Sequence, residues 1–205
     1  MTTRAIVVRG DLPSEHAVQF FDTPDTRAKA IADFLIEGYR TGDALLLAIS
    51  RPHWQIVAGL LRDAGIPVDA ASGDVTVLDA REALDELMCD GQLDRERFDA
   101  VIGATVRRLA ASGRRCRIYG EIVDLLAAEG DFRSVQMLED LWNESCDQLG
   151  FRLFCGYTAA NLGDPRSVDA LRSICRSHSL VLANSRDLLG SFLATAATGS
   201  APPAD

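Results

Sequence analysis

None of the five cysteines forms a C-x-x-C pair, and the three histidines are scattered through the chain. The spacing of zinc fingers and zinc ribbons is therefore missing, and the pattern predicts no metal site. There is no G-x-S-x-G, so the nucleophile elbow of the α/β-hydrolases is excluded. No apolar run reaches the ~20 residues that cross a bilayer as a helix. The apolar stretch behind Met1 is too short for a signal peptide. An odd cysteine count without an export signal predicts reduced thiols that serve mostly as small core hydrophobes, in a cytoplasmic protein. Net charge is -9, which argues against direct nucleic-acid binding and against anionic membranes. Internal repeats and a low-complexity core are also missing.

What is present reads as one α/β domain. The 205 residues are 47% hydrophobic and 25% charged, the balance of a soluble globular chain with a substantial core. Residues 1–13 read as a leader, 14–197 as a single domain, and 198–205, with Ala201-Pro202-Pro203, as a disordered tail. Residues 5–8 are a short strand or the end of the leader. His16–Phe21 is the first firm strand. Thr23 and Pro24 start a helix with the stripe Ala28, Ile31, Leu35 and Tyr39, and Gly42 ends it.

Ala44–Ile49 is apolar throughout, as suits a central parallel strand covered on both faces. Ser50-Arg51-Pro52-His53 opens a helix that Gly65 stops. Ile66-Pro67-Val68 and residues 75–78 are two short strand candidates. Asp79, with Glu82 three residues on, caps a helix that Asp90-Gly91 breaks. A longer helix is expected over about 94–111, a strand over 116–121 and a helix over 122–129. Asp131 caps a strong helix to about 148. A strand over 151–155, a helix over 167–176 and a last helix over 185–195 complete the chain. This alternation predicts a mainly parallel sheet flanked by helices on both faces, with ligands at the carboxyl ends of its strands.

The stretch Cys116-Arg117-Ile118-Tyr119-Gly120-Glu121-Ile122 carries charge inside a strand pattern. If extended, it points Arg117, Tyr119 and Glu121 to one face. Burying an unpaired charge is costly, so these groups must pair or meet a ligand. Glu139 shares the inward stripe of its helix with Val135, Trp142 and Cys146. Arg117 is therefore expected within salt-bridge reach of Glu121 or Glu139, near the carboxyl end of the sheet. A buried ion network and a ligand site are both open readings. His16 is a strand-edge residue or a ligand group, and His178 a helix C-cap or a ligand group. Cys155 and Tyr157 alternate faces at a strand end; Cys155 reads as core and Tyr157 as a binding candidate. His53 reads as exposed.

A phosphate-binding loop after Ala44–Ile49 would need glycines for the backbone cradle, then Lys and Ser/Thr. Ile49-Ser50-Arg51-Pro52-His53-Trp54 has no glycine and no lysine, and Pro52 removes an amide. ATP hydrolysis by that route is not expected. Arg51 at the helix start is a capped surface residue or an anion contact.

His16-x-x-x-Phe20-Phe21, Gly42-Asp43 before an apolar strand, Arg117-x-x-Gly120-Glu121, Glu139, Phe154-Cys155-x-Tyr157 and a late His178 occur in that order. This ordered set resembles the MEDS family, the methanogen/methylotroph and DcmR sensory domains, over about residues 14–183. The resemblance implies a RecA/KaiC-like core without a P-loop. It implies a non-enzymatic module that senses a small organic ligand such as a hydrocarbon derivative. Without an output domain of its own, it would relay to a partner such as a histidine kinase or transcription regulator; a homodimer is one arrangement open to it. The resemblance carries His16, Arg117, Glu121 and Glu139 into the candidate ligand site, beside Arg51, Tyr119, Tyr157 and His178, and implies no cofactor. The competing reading is a degenerate RecA-like nucleotide-binding protein or hydrolase with Glu121 as general base.

Overall fold

A computed structural model describes residues 4–7, 15–69, 73–164, 167–183 and 189. The expected tail and the helix expected over 185–195 lie outside these residues, apart from residue 189. Of the expected leader, the structure describes only strand β1, Arg4–Val7.

Strand β2, His16–Phe21, is buried along its whole length. Helix α1, Pro24–Thr41, follows it. The Thr23 hydroxyl accepts from the Thr26 amide, proline occupies the first turn, and Gly42 closes the helix at φ 81°. Only glycine adopts that left-handed cap without strain. Strand β3, Ala44–Ile49, leads to α2, Arg51–Asp63, and β4, Val75–Asp79. Helix α3, Ala80–Leu87, and a hairpin of β5, Met88–Cys89, and β6, Gln92–Leu93, come next. Then follow α4, Arg95–Phe98, and α5, Ala104–Ala110. Strand β7, Cys116–Gly120, precedes α6, Ile122–Ala128, and α7, Phe132–Leu149. Strand β8, Arg152–Thr158, α8, Val168–Ser177, and β9, Leu180–Ala183, end the described fold.

The main sheet has the order β1-β9-β2-β8-β7-β3-β4. Six strands run parallel, and β1 adds antiparallel to β9. Both β3 and β7 are interior strands, as their apolar composition predicts. One face packs α1 and α2 through Ile31, Leu35, Val57 and Leu61. The opposite face packs α3, α5, α6, α7 and α8 around Trp142 and Ile118. Helices α1 and α2 leave β2 and β3 onto one face, and the chain after β7 and β8 turns to the other; at such a switch point parallel sheets place their ligand crevice, beyond the carboxyl ends of the strands.

Two expectations at the local level are corrected. Residues 66–68 form no strand: β4 takes the open side of β3, and Pro67 has no amide to donate. The helix expected over 94–111 is interrupted by a π turn, Asp99–Gly103. Phe98, Ile102 and Val106 are buried at a spacing of four. In an unbroken α-helix that spacing rotates each residue about 40° away from the last. The wider π turn keeps all three on the core.

Candidate functional site

Apart from Arg51, the charged and polar residues singled out in the sequence fall into three separate clusters that are largely buried. At the amino end of β7, the Arg117 side chain lies across α1. Its Nε donates to Asp43 Oδ2 at 3.0 Å, and its Nη1 donates to the Phe34 carbonyl at 3.0 Å and to Glu37 Oε2 at 3.1 Å. The guanidinium stacks 4.8 Å from the Phe34 ring centroid. The expected pairing of Arg117 with Glu121 or Glu139 at the carboxyl end is therefore incorrect. Arg117 sits near the start of its strand, and carboxylates on α1 and at the entry to β3 reach it first. Its Nε and Nη1 are engaged by protein groups, so Arg117 acts as a lock between β7 and α1.

The second cluster fills the crevice at the carboxyl ends of β3, β7 and β8. Glu121 directly follows β7. Its Oε1 accepts from the Ser50 amide at 2.5 Å, and its Oε2 accepts from His53 Nδ1 at 2.9 Å and the Tyr119 hydroxyl at 3.2 Å. Arg27 Nη1 lies 3.5 Å from Oε2. Burial opposes ionisation of Glu121, but the hydrogen bonds from His53 and Ser50 and the Arg27 charge outweigh it and hold the carboxyl below its ordinary range. Burial also raises the Tyr119 phenol well above its usual value, so it stays a donor.

Arg27 ties this group to Asp124. Its Nη2 donates to Asp124 Oδ2 at 2.8 Å and to the Thr158 hydroxyl at 3.1 Å. Asp124 also accepts from the Thr158 amide and from Asn161 Nδ2. Burial works against the Arg27 charge, yet Tyr119, Asp124 and Glu121 together hold its pKa above the ordinary value. In this largely buried network His53 keeps 23% of its side chain exposed, and Ser50, Thr158 and Asn161 are also partly exposed. Arg51, at the start of α2, instead lies on the surface and pairs with Asp79 and Glu82.

The third cluster joins β2, β8, α7 and the end of α8. His16, Glu139, Cys155 and His178 are all fully buried, and their donor atoms lie within 4.8 Å of one another. His16 Nδ1 donates to Asn143 Oδ1 at 2.9 Å. Asn143 Nδ2 is spent on the Ser177 carbonyl, which fixes the amide orientation. His178 Nδ1 donates to the Ile174 carbonyl at 2.6 Å. Both rings therefore turn an unprotonated Nε2 inward. Burial lowers the His16 pKa to about 3, helped by His178 and opposed by Glu139 and Asn143. Burial lowers His178 to about 4 against its bond to Ile174. Burial raises the Glu139 carboxyl despite His16 and despite the Tyr157 hydroxyl, which donates to Oε1 at 2.5 Å.

Of the residues expected at one site, Tyr119 and Glu121 meet in the crevice. His16, Glu139, Tyr157 and His178 meet in the third cluster, while Arg117 and Arg51 stand apart. Sequence reasoning missed Arg27, Asp124 and Asn143, and it read His53 as exposed and Cys155 as core. Arg27 had a legible signal, since Arg27, Ile31 and Leu35 recur at helical spacing on the inward stripe of α1.

The family model "MEDS: MEthanogen/methylotroph, DcmR Sensory domain" matches residues 15–179. The chain belongs to the MEDS family. Within this MEDS domain the match opens one residue before His16 and closes one residue after His178, so all three clusters fall inside it. Membership of a sensory family suggests a sensory or signalling role. No curated protein and no solved structure matches the chain. Among the described residues no helix is long and apolar enough to cross a membrane.

Proposed function

We propose that this MEDS domain is a non-enzymatic sensor. In this reading it binds a small organic ligand in the crevice beyond the carboxyl ends of β3 and β7. It relays occupancy to a partner protein, such as a histidine kinase or a transcription regulator. The observation that carries the reading is the partly exposed His53 closing over the ionised Glu121. A small polar ligand that turned His53 aside would gain a buried carboxylate, the Ser50 amide and the Tyr119 hydroxyl as partners. Because His53 belongs to α2 and Arg27 to α1, such a ligand would shift two helices on one face of the sheet. A shift of packed helices is a means of reaching a partner surface.

The competing hydrolase reading needs Glu121 as a general base. Its oxygens already accept from Ser50, His53 and Tyr119 beside the Arg27 charge, and its pKa is held down. A carboxylate so stabilised is a weak proton acceptor.

Melting curves of wild type, Glu121→Gln and His53→Ala against short alcohols, amines and chlorinated methanes test the sensor reading. At least one compound should raise the wild-type Tm and fail to do so in both variants. No shift with any compound, or a shift that both variants keep, would overturn the site. Magnesium-dependent ATP turnover that disappears in Glu121→Gln would establish the hydrolase instead.

A further inference from the structure

The third cluster has properties that a hydrogen-bonded core does not require. Four groups of metal-ligand type converge from four elements: His16 from β2, Cys155 from β8, Glu139 from α7 and His178 from the end of α8. His16 Nε2 lies 3.3 Å from Cys155 Sγ and 3.4 Å from Glu139 Oε2. His178 Nε2 lies 3.5 Å from Glu139 Oε2, and Cys155 Sγ lies 3.9 Å from the same oxygen. Ligands on a tetrahedral zinc ion, at bond lengths of about 2.0–2.3 Å, are separated by roughly 3.3–3.7 Å. His178 Nε2 is fully buried and has no hydrogen-bond partner, although it points into this group.

We infer that His16, Glu139, Cys155 and His178 form a closed structural site for a zinc-like divalent cation. Three of the four ligands carry outer support. His16 is held by Asn143, which is held by Ser177. His178 is held by the Ile174 carbonyl, and the second oxygen of Glu139 is held by Tyr157. Metal-bound histidines characteristically donate their other ring nitrogen to an oxygen in this way, which fixes the tautomer. The charge also balances: a thiolate and a carboxylate neutralise a divalent ion, and the two imidazoles are neutral. A net-neutral centre avoids the cost of uncompensated charge in a fully buried site.

Protons alone satisfy the cluster less well. The Cys155 thiol can donate to His16 Nε2. A proton on Glu139 Oε2 would face His178 Nε2 across 3.5 Å, longer than a sound hydrogen bond. A metal ion gives all four atoms a partner at once. The neutral rings, the mixed N, S and O donors and, among the described residues, a set of four groups and no more favour zinc over the harder magnesium and calcium. The site is closed by its four ligands, so it stands apart from the crevice and from the sensor reading. Its place is to clamp β2, β8, α7 and α8 together.

Metal analysis by plasma mass spectrometry, on protein purified without a metal column, tests the inference. About one zinc per chain is expected, with little retained by Cys155→Ser or His178→Ala. Protein unfolded with chelator and refolded with cobalt should show tetrahedral d–d bands and a thiolate-to-cobalt charge-transfer band, and Cys155→Ser should lose the latter. Asn143→Ala leaves all four ligands in place and should weaken binding about 10–100-fold while circular dichroism shows a retained fold. Folded wild type that holds no zinc and gives no cobalt–thiolate band would overturn the site. So would an unchanged metal content in folded Cys155→Ser and His178→Ala. If those two variants do not fold, the wild-type and Asn143→Ala readings decide.

Discussion

Gly38 leaves open the space through which Arg117 crosses helix α1. A Cβ at residue 38 would lie 2.5 Å from Arg117 Cδ and 2.7 Å from its Nε. The side chain in the way cannot easily move, since Asp43, Glu37, the Phe34 carbonyl and the Phe34 ring all hold it. Alanine normally stabilises a helix interior by about 1 kcal/mol over glycine. Here overpacking, at about 1–3 kcal/mol, works in the opposite direction and loosens the ion pairs as well. Gly38→Ala should therefore lower the urea midpoint. Arg117→Ala should cost about 3–5 kcal/mol by leaving buried Asp43 unpaired. An unchanged midpoint in both would show that the lock does not contribute.

Gly156 has the same relation to Tyr119. A Cβ there would lie 2.5 Å from the Tyr119 hydroxyl and 3.2 Å from Phe21. Gly156→Ala should destabilise by about 1–3 kcal/mol and displace the phenol from Glu121. Because Tyr119→Phe removes the atom in closest conflict, the double variant should lose less than the sum of the singles, by about 0.5 kcal/mol or more. Strict additivity in a double-mutant cycle would show that the two positions act independently.

Acid should weaken the crevice network through Glu121. Its folded pKa lies below the ordinary value of 4.5, so the folded state binds this proton less readily than the unfolded chain. The stabilisation is fully present above about 4.5 and is lost as pH falls through the lowered folded value. Urea unfolding between pH 6 and pH 3 should show a shallower decline for Glu121→Gln than for wild type. Parallel curves would place the acid sensitivity elsewhere.

Arg27→Ala would leave two buried carboxylates, Glu121 and Asp124, facing each other's field without a cation. The expected loss is about 3–5 kcal/mol, well above that of Lys29→Ala. The Lys29–Asp33 pair is more than half exposed on both sides, and such pairs contribute about 0–1 kcal/mol. Comparable losses at the two positions would contradict the burial of Arg27.

The parallel sheet, the interior positions of β3 and β7, the capped start of α1 and the shared face of Arg117 and Tyr119 follow from the sequence alone. They rest on periodicity, caps and apolar runs, which are short-range properties of the chain. Which carboxylate Arg117 meets, and that His53 turns onto Glu121, were decided only by tertiary structure. Both depend on which helix covers which strand end, and local spacing carries no such information. The pattern argued against a metal site because no C-x-x-C pair occurs and the three histidines are scattered. Strand β2 pairs with β8, α7 packs behind them, and α8 ends beside β2, so residues spread over most of the chain come within 4.8 Å. A ligand set assembled by sheet order is invisible to a search for neighbouring cysteines and histidines.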